Sequence, residues 1–553
     1  MTVYSDIKGS SLSSATSAPW TRNEWGIWLT VMVVAAILRI AFHTGYFGSD
    51  EVTYIGSAFK ILQGDWSVSQ YVGSNRYGVN LPIAAFVYIF GQNEFAANVY
   101  SLLCSLGEIA LIFYFGRLMF GLRVAVLATT VLAFLPLHVH FAGRLMADSP
   151  LALMITASFL LFWYGERQNS AVSFFIAGMA VGLSFWVKQA TIIYLLVFIS
   201  YPIVFRRLNW IWGWMVLGFC LAIASNMILF WGLTETPFYL FQAVESRWGS
   251  SFPEVGSFGQ APIYYLVYLF VKIWHTWLIA YLAVAAVLIW LFRRYKLSQV
   301  NNQENDSLLF LYWWGGGLLI VFSLLIVSWK PLIFIPKQTN YMLMFMAPLA
   351  LLAGYALAAL RGIVLWVAMG FVILPSTMLA AMEQNSIHVF TANSKAVVEF
   401  AKHNTGAEVF SHANPYRAAI FRNLVNPRSP EVKIRSVDEL LKGNDNKDAT
   451  QQVNLPKYVV MDTETLSWGA GEPIRDIKAV PSCWIQTGVL EPSEFGLGWR
   501  ILNAMRVAGQ LLPATVQEKV TRGFNQLTQP RPAYLYVVPE EGCGLEKVHT
   551  ITP

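Results

Sequence analysis

The sequence predicts a polytopic α-helical membrane protein that continues into a soluble C-terminal α/β domain. Of its 553 residues, 56% are hydrophobic and only 13% are charged, whereas about 25% of the residues in soluble domains are charged. Long apolar segments recur as far as about residue 379, and a composition typical of a soluble domain follows. We therefore expect a polar cytoplasmic N-terminus over 1–20, a transmembrane domain over 21–382 and a soluble domain over 383–553.

The apolar segments predict 11–13 transmembrane helices, and eleven of them begin near residues 25, 95, 122, 149, 171, 190, 210, 262, 308, 341 and 362. Alternate short loops between them are basic, and the positive-inside rule places such loops in the cytoplasm. The basic residues of these loops are Arg117, Arg123, Arg167, Arg206, Arg207, Arg293, Arg294, Lys296 and Arg361. An external loop over 42–93 and the soluble domain then share the opposite side, which is periplasmic if the membrane is a bacterial inner membrane. Residues 1–20 lack the apolar core of a removable signal peptide.

Two adjacent carboxylates, Asp50 and Glu51, follow the first apolar segment where the chain leaves the membrane. Ionisable groups at such positions are costly unless they have partners or a function. One interpretation is that Ser49 or Asp50 caps a helix over 51–62. The other is that the carboxylates take part in catalysis.

A third carboxylate, Asp148, opens the fourth predicted span on the same side, four residues after Arg144. Pro150 is typical of the first turn of a helix, so a capping role for Asp148 is again an alternative. Two carboxylates from separate external loops nevertheless indicate a polar pocket at the membrane surface. Glu108, in the middle of the second span, is left without a functional assignment.

Basic side chains gather on the external side, where the positive-inside rule disfavours them, which indicates an anionic partner such as a lipid phosphate. They are Arg76, Arg144, Lys188, Arg247, Lys330 and Lys337. For each one alone, the alternative is a side chain that reaches toward lipid headgroups. Tyr77 and Tyr341 could likewise stack on a sugar or a polyprenyl chain, or belong to an interfacial aromatic belt.

Three motifs resemble those of C-type membrane glycosyltransferases, in particular lipid A aminoarabinose transferases and polyprenyl- or dolichyl-phosphate-mannose protein mannosyltransferases. The first is Asp50-Glu-Val-Thr-Tyr54 with a Gly-Asp-Trp turn at 64–66, and the second is Arg-x-x-x-Asp-x-Pro-Leu at 144–151. The third runs from Pro336-Lys337 through Tyr341 to Ala347-Pro348-Leu. In their order and predicted side of the membrane, the three motifs cover most of residues 25–382.

The sequence departs from the aminoarabinose transferases at two places. Those enzymes have a basic residue where this chain has Thr53, and a Glu-Lys pair where it reads Asn80-Leu81 before Pro82. The resemblance implies that these groups help to hold the amino sugar and the phosphate. A neutral hexose or pentose on the lipid carrier is therefore the expected donor.

The resemblance implies an inverting glycosyltransferase that moves a single sugar from a polyprenyl phosphate to a lipid, glycan or protein hydroxyl. Basic groups would stabilise the phosphate leaving group, Asp50 would act as general base, and Asp148 would orient the acceptor or the sugar. The expected substrate-binding residues are Glu51, Tyr54, Arg76, Tyr77, Arg144, Lys188, Arg247, Lys337 and Tyr341. This scheme requires no cofactor, although Asp50, Glu51 and Asp148 offer oxygen ligands that a divalent cation could take.

In the soluble domain, the pattern predicts a helix over 394–403 and buried strands over 458–461 and 534–538. Cys483 and Cys543 both lie there, and an oxidising compartment would permit a disulfide between them. We expect a monomer in contact with membrane lipids. The chain has no basic stripe with interleaved aromatic residues, which argues against a nucleic-acid partner.

Two other functions share this topology. A transporter or a flippase for lipids or lipid-linked sugars would have charges near the bilayer midplane and repeated halves with broken helices, whereas here the charges gather at one face. A ligase that uses lipid-pyrophosphate oligosaccharides is not expected to carry the Asp-Glu motif.

Overall fold

The computed structural model describes residues 19–248, 257–297, 302–442, 455–468, 472–492, 495–511 and 513–539. The chain divides into two compact units. The first, here called the membrane unit, comprises Met1–His43, Ser57–Phe86 and Asn98–Ala380. The second, the tail unit, comprises Thr44–Gly56, Val87–Ala97 and Ala381–Pro553. The tail unit thus contains the acidic pair Asp50-Glu51 as well as the C-terminal residues.

Twenty α-helices are found in the described residues. They are α1 Arg22–Ala41, α2 Glu51–Leu62, α3 Tyr77–Phe90, α4 Glu94–Phe120, α5 Leu122–Phe134, α6 Pro136–Ala142, α7 Asp148–Gln168, α8 Ala171–Val187, α9 Leu195–Phe205, α10 Gly213–Thr234, α11 Tyr239–Trp248, α12 Tyr264–Phe270, α13 Ile279–Phe292, α14 Asn302–Leu324, α15 Leu343–Ala358, α16 Gly362–His403, α17 Ala413–Val425, α18 Val437–Leu441, α19 Leu497–Gly509 and α20 Ala514–Thr528. The strands are β1 Ile326–Trp329, β2 Leu332–Phe334, β3 Glu408–Ser411, β4 Arg435–Ser436, β5 Lys457–Asp462, β6 Ile485–Leu490 and β7 Ala533–Val538.

The helices confirm the predicted membrane class. Within the described residues, six helices are long and apolar enough to cross a membrane, and the bent pair α5–α6 brings the number to seven. The predicted starts near 171 and 190 correspond to helices that are apolar but shorter, over Ala171–Val187 and Ile192–Phe205. The chain is therefore an integral membrane protein. The helix predicted over 51–62 is observed as α2.

Small residues bring α8 and α10 close together in the membrane unit. A Cβ added to Gly178 would lie 1.9 Å from the backbone oxygen of Met215, and one added to Gly218 would lie 2.2 Å from that of Phe175. Small residues allow the backbones of two membrane helices to approach this closely. Such packing holds the helices together, because lipid offers no hydrophobic driving force for their association. The contact fixes α8, which ends directly before Lys188.

A buried polar network fixes α6, which makes a 63° bend with α5. On α6, His138 Nε2 lies 3.0 Å from Glu108 Oε2, and Arg39 contacts His138 Nδ1 at 2.6 Å. Thr156 of α7 donates to Glu108 Oε1 at 2.8 Å. All four side chains are at most 1% exposed. Glu108, unassigned from the sequence, thus ties α4 to α6 and α7. Arg144 lies between these two helices, and Asp148 begins the second.

The tail unit contains a five-stranded mixed sheet with the strand order β4-β3-β5-β7-β6. β3 runs parallel to β4 and β5, and β7 runs antiparallel to β5 and β6. The predicted strands at 458–461 and 534–538 are the central pair β5 and β7, and the helix predicted over 394–403 is the end of α16. Cys543 lies outside the described residues, so its disulfide with Cys483 stays a prediction.

Hydrogen bonds join β5 to the start of α17. Asp462 accepts from Thr465 Oγ1 at 2.6 Å, and Thr465 Oγ1 lies 2.9 Å from His412 Nε2. Burial lowers the pKa of His412 to about 4, so its ring is neutral near pH 7. Because the Thr465 hydroxyl donates to Asp462, it accepts from His412 Nε2–H, and this fixes the tautomer of the ring. The residue that precedes α17 is thereby held against the sheet.

Candidate functional site

Asp148 is the centre of a polar cluster inside the apolar membrane unit. Its side chain is 2% exposed, and Oδ1 accepts from Lys188 Nζ at 3.2 Å and from Asn340 Nδ2 at 3.0 Å. Oδ2 is buried and has no hydrogen-bond partner among the described residues. The N-cap of α7 is Ala147, without a side-chain hydrogen bond. The Asp148 carboxylate therefore bonds to side chains from other elements, and the capping interpretation does not describe its contacts.

Lys188 joins Asp148 to Tyr341. It is the extended C-cap residue of α8, with φ −158° and ψ 119°, and a 3₁₀ helix, Gln189–Tyr194, follows it. Its ammonium nitrogen lies 4.3 Å from the ring centroid of Tyr341, a distance typical of a cation–π contact. Lys188 therefore contacts two residues that were predicted separately from it, Asp148 and Tyr341.

Lys337 lies in the loop before α15 and is 4% exposed. Its ammonium group donates to the backbone oxygens of Gln260 and Ile335, both at 3.2 Å. Burial lowers its pKa to about 8. Since an ammonium group has three hydrogens, these two bonds leave one donor for a further acceptor. A buried cation whose described partners are neutral carbonyls is well suited to bind an anion.

Arg144 is buried at the turn between α6 and α7, with 7% of its surface exposed. Its guanidinium lies 3.4 Å from His140 Nε2 and 5.7 Å from the centroid of Phe141. Both neighbours are on α6, which the Glu108 network holds in place. The predicted second acidic motif thus forms one turn that is supported from α6.

In the tail unit, Asp50 and Glu51 begin α2. The hydroxyl of Tyr54 donates to Asp50 Oδ2 at 3.2 Å, and Ser49 N–H donates to Glu51 Oε2 at 2.9 Å. Glu51 is fully buried, whereas Asp50 is half-buried. Of this acidic pair, Asp50 is therefore the more accessible carboxylate.

The other predicted site residues have different surroundings. Tyr77 packs in an apolar cluster with Phe230 and stacks on Trp66, at centroid distances of 5.8 and 5.9 Å. Arg76 is half-buried at the end of a 3₁₀ helix, Val72–Asn75. Arg247 belongs to α11, but its side chain lies outside the described part of the chain.

Sequence reasoning missed Asn340, which bonds to Asp148. The signal available was its position inside the third motif, directly before Tyr341. As for a metal, the residues that the structure describes contain no group of three His, Cys, Asp or Glu side chains placed to hold an ion.

The chain resembles known proteins in sequence and in fold. Residues 78–231 match the family of dolichyl-phosphate-mannose-protein mannosyltransferases. The structure matches ArnT from Cupriavidus metallidurans, crystallised with undecaprenyl phosphate, at a TM-score of 0.55 and 15% identity. This match covers 86% of the chain and 97% of ArnT. The fold is that of the C-type membrane glycosyltransferases. The predicted resemblance is confirmed.

Two further solved structures match this chain with lower TM-scores. ArnT in its apo state gives a TM-score of 0.51 at 16% identity and covers 84% of this chain and 96% of that one. The oligosaccharyltransferase AglB from Archaeoglobus fulgidus, at 12% identity and a TM-score of 0.45, covers 85% and 73% and is too distant to bear on the fold. A sequence comparison with curated proteins found no match.

Proposed function

We propose that this C-type membrane fold transfers a single sugar from a polyprenyl phosphate to a hydroxyl acceptor. The observation that carries the proposal is Asp148, whose buried Oδ2 has no hydrogen-bond partner in the described chain. Leaving a buried carboxylate oxygen unpaired costs free energy. A hydroxyl of the sugar or of the acceptor would complete its hydrogen bonding. Asp148 therefore acts as the residue that orients this hydroxyl.

Two buried lysines supply the positive charge for the phosphate. Lys337 has a free donor and neutral described partners, and Lys188 lies next to Asp148 and Tyr341. The leaving phosphate gains negative charge as the glycosidic bond breaks, so cations aimed at it stabilise the transition state. Removal of one such donor typically costs about 2.7–4 kcal/mol. The ArnT relative was crystallised with undecaprenyl phosphate, which supports a phosphate-bearing polyprenyl carrier here.

Asp50 is the general base in this proposal. It is the accessible member of the acidic pair, and its Oδ2 accepts from Tyr54. The acceptor hydroxyl loses its proton to the carboxylate while its oxygen attacks the anomeric carbon and the carbon–phosphate oxygen bond breaks. Direct attack inverts the anomeric centre. General base catalysis of this kind contributes about 10²–10⁴-fold.

No metal ion has a role in this scheme, since the leaving group is a phosphate monoester and the two lysines stabilise its negative charge. The donor sugar is a neutral hexose or pentose, because Thr53 and Asn80-Leu81 replace groups that help to hold the amino sugar and the phosphate in aminoarabinose transferases. The positive-inside rule supports a non-cytoplasmic site and tail, in a bacterial inner membrane. The enzyme works as a monomer on a lipid, glycan or protein acceptor.

Binding of undecaprenyl phosphate to the purified protein tests the donor class. We expect binding to weaken about 100-fold or more in Lys337→Ala, the equivalent of about 2.7 kcal/mol, because loss of one partner of a buried charge pair typically costs about 2–5 kcal/mol in binding. Lys402→Ala is the matched control, because Lys402 is an exposed lysine paired with Glu399 on α16. Tighter binding of undecaprenyl pyrophosphate than of the monophosphate would favour the ligase function, and equal loss in both variants would contradict a specific site.

A further inference from the structure

The loop that leads to Asp50 is attached to helix α17, more than 360 residues further along the chain. This loop, residues 44–51, is here called the acidic loop, and both it and α17 belong to the tail unit. The Tyr46 hydroxyl lies 3.0 Å from both the backbone oxygen and Oδ1 of Asn414. Arg417 donates to the backbone oxygen of Gly48 at 3.1 Å. Two successive turns of α17 therefore hold the loop at two points.

Close packing reinforces these hydrogen bonds. Gly48 has φ +98°, and a Cβ at this position would lie 2.0 Å from Asn414 Oδ1. Only glycine meets both conditions, because other residues are strained at this φ and no side chain would fit. The rings of Phe47 and Phe390 stack at 5.0 Å, so an apolar contact anchors the loop between the two bonded residues.

The anchor is itself rigid. Asn414 and Tyr46 are 1% and 3% exposed, so their hydrogen bonds are shielded from water. His412, which precedes α17, is tied through Thr465 to Asp462 at the end of β5. A continuous chain of contacts thus runs from the sheet, through α17, to the residue two positions before Asp50.

We propose that α17 positions Asp50 for proton abstraction, with Asn414 and Arg417 as positioning residues that act through Tyr46 and Gly48. The inference rests on the proposed function and gives the C-terminal domain a part in the reaction. Catalytic groups must be held to within a fraction of an ångström of their productive position, and a displacement of about 1 Å can cost about 100-fold in rate. The bonds from Asn414 and Arg417 reach Tyr46 and Gly48, which lie four and two positions before Asp50.

Arg417→Ala and Tyr46→Phe test the proposal in the full-length protein. Each is expected to lower kcat about 10- to 100-fold while KM for the donor changes less than about threefold, because the base moves and the donor site does not. Arg417→Lys should recover part of kcat, since a single ammonium donor can bond to the Gly48 oxygen. Arg422→Ala is the matched control: it removes an arginine of the same helix that donates to Pro430 and Asn423.

Hydrogen exchange of the backbone amides at 44–51 supplies a readout that does not depend on turnover. We expect faster exchange in Arg417→Ala, and unchanged exchange in Arg422→Ala and in strands β5 and β7 of both variants. Faster exchange with an undiminished kcat would overturn the inference, as would equal loss of kcat in Arg422→Ala. If the wild-type protein transfers no sugar, the proposed function fails. If it does and Arg417→Ala matches it, only the positioning role fails.

Discussion

Removing the charge of Lys188 should destabilise the membrane unit, because it leaves the Asp148 carboxylate buried without its cation. At the observed N–O distance of 3.2 Å, the Coulomb energy is about 5 kcal/mol for an effective dielectric constant of about 20. Breaking a buried pair by removal of one partner typically costs about 3–5 kcal/mol. We expect a loss in this range for Lys188→Met, which keeps an apolar stem of similar length.

The double variant Lys188→Met/Asp148→Leu separates the structural role of the pair from its catalytic role. With both charges gone, most of the unfolding free energy should return, and the interaction energy in the double-mutant cycle should approach about 3 kcal/mol. Sugar transfer should remain absent, because the orienting oxygen has been removed.

Denaturant unfolding of the detergent-purified variants provides the measurement. The exposed pair Arg522–Glu518 on α20 is the control, with side chains 70% and 76% exposed, and exposed pairs contribute about 0.2–1 kcal/mol. Additive single losses of unfolding free energy at Lys188 and Asp148 would contradict this prediction, since they would show that the two buried charges are not coupled.

Three further predictions concern other features. Because burial lowers the pKa of Lys337 to about 8, its charge is present below that pH and lost above it; KM for the donor should rise as pH increases through this value. Lys337→Arg should remove this dependence, and a wild-type KM that is independent of pH would contradict it. Glu108→Ala should lower the unfolding free energy by about 3–5 kcal/mol, and a loss below about 1 kcal/mol would argue against the network. A cysteine at exposed Lys519 should react with a membrane-impermeant maleimide in intact cells, whereas one at Arg207 should not; the reverse pattern would invert the topology.

Local patterns in the sequence predicted several elements of this protein. The apolar segments gave the membrane class, α2 begins at Glu51 as expected, and β5 and β7 correspond to the predicted buried strands. Each of these features is encoded within a short window, where hydropathy and helix-start signals are sufficient.

The assembly of the candidate site could not be predicted in the same way. Asp148 and Lys188 were singled out separately, but their ion pair depends on the packing of α7 and α8. The bond between Asn340 and Asp148 joins residues 192 positions apart. The attachment of Tyr46 to Asn414 spans 368 positions. Single-sequence periodicity contains no information about such distant pairs, and the hydrogen bonds that complete a site are of this kind.

Transfer of a labelled sugar from a polyprenyl phosphate by purified Asp50→Asn protein decides whether Asp50 is the general base. Asparagine caps a helix about as well as aspartate does, and it can still accept a hydrogen bond from Tyr54. The neutral amide of asparagine, however, cannot act as a general base. We expect the variant to fold and to bind donor like the wild-type protein, while transfer falls at least about 100-fold. Transfer at a rate close to that of the wild type would show that Asp50 only begins a helix, and would contradict its role as the general base.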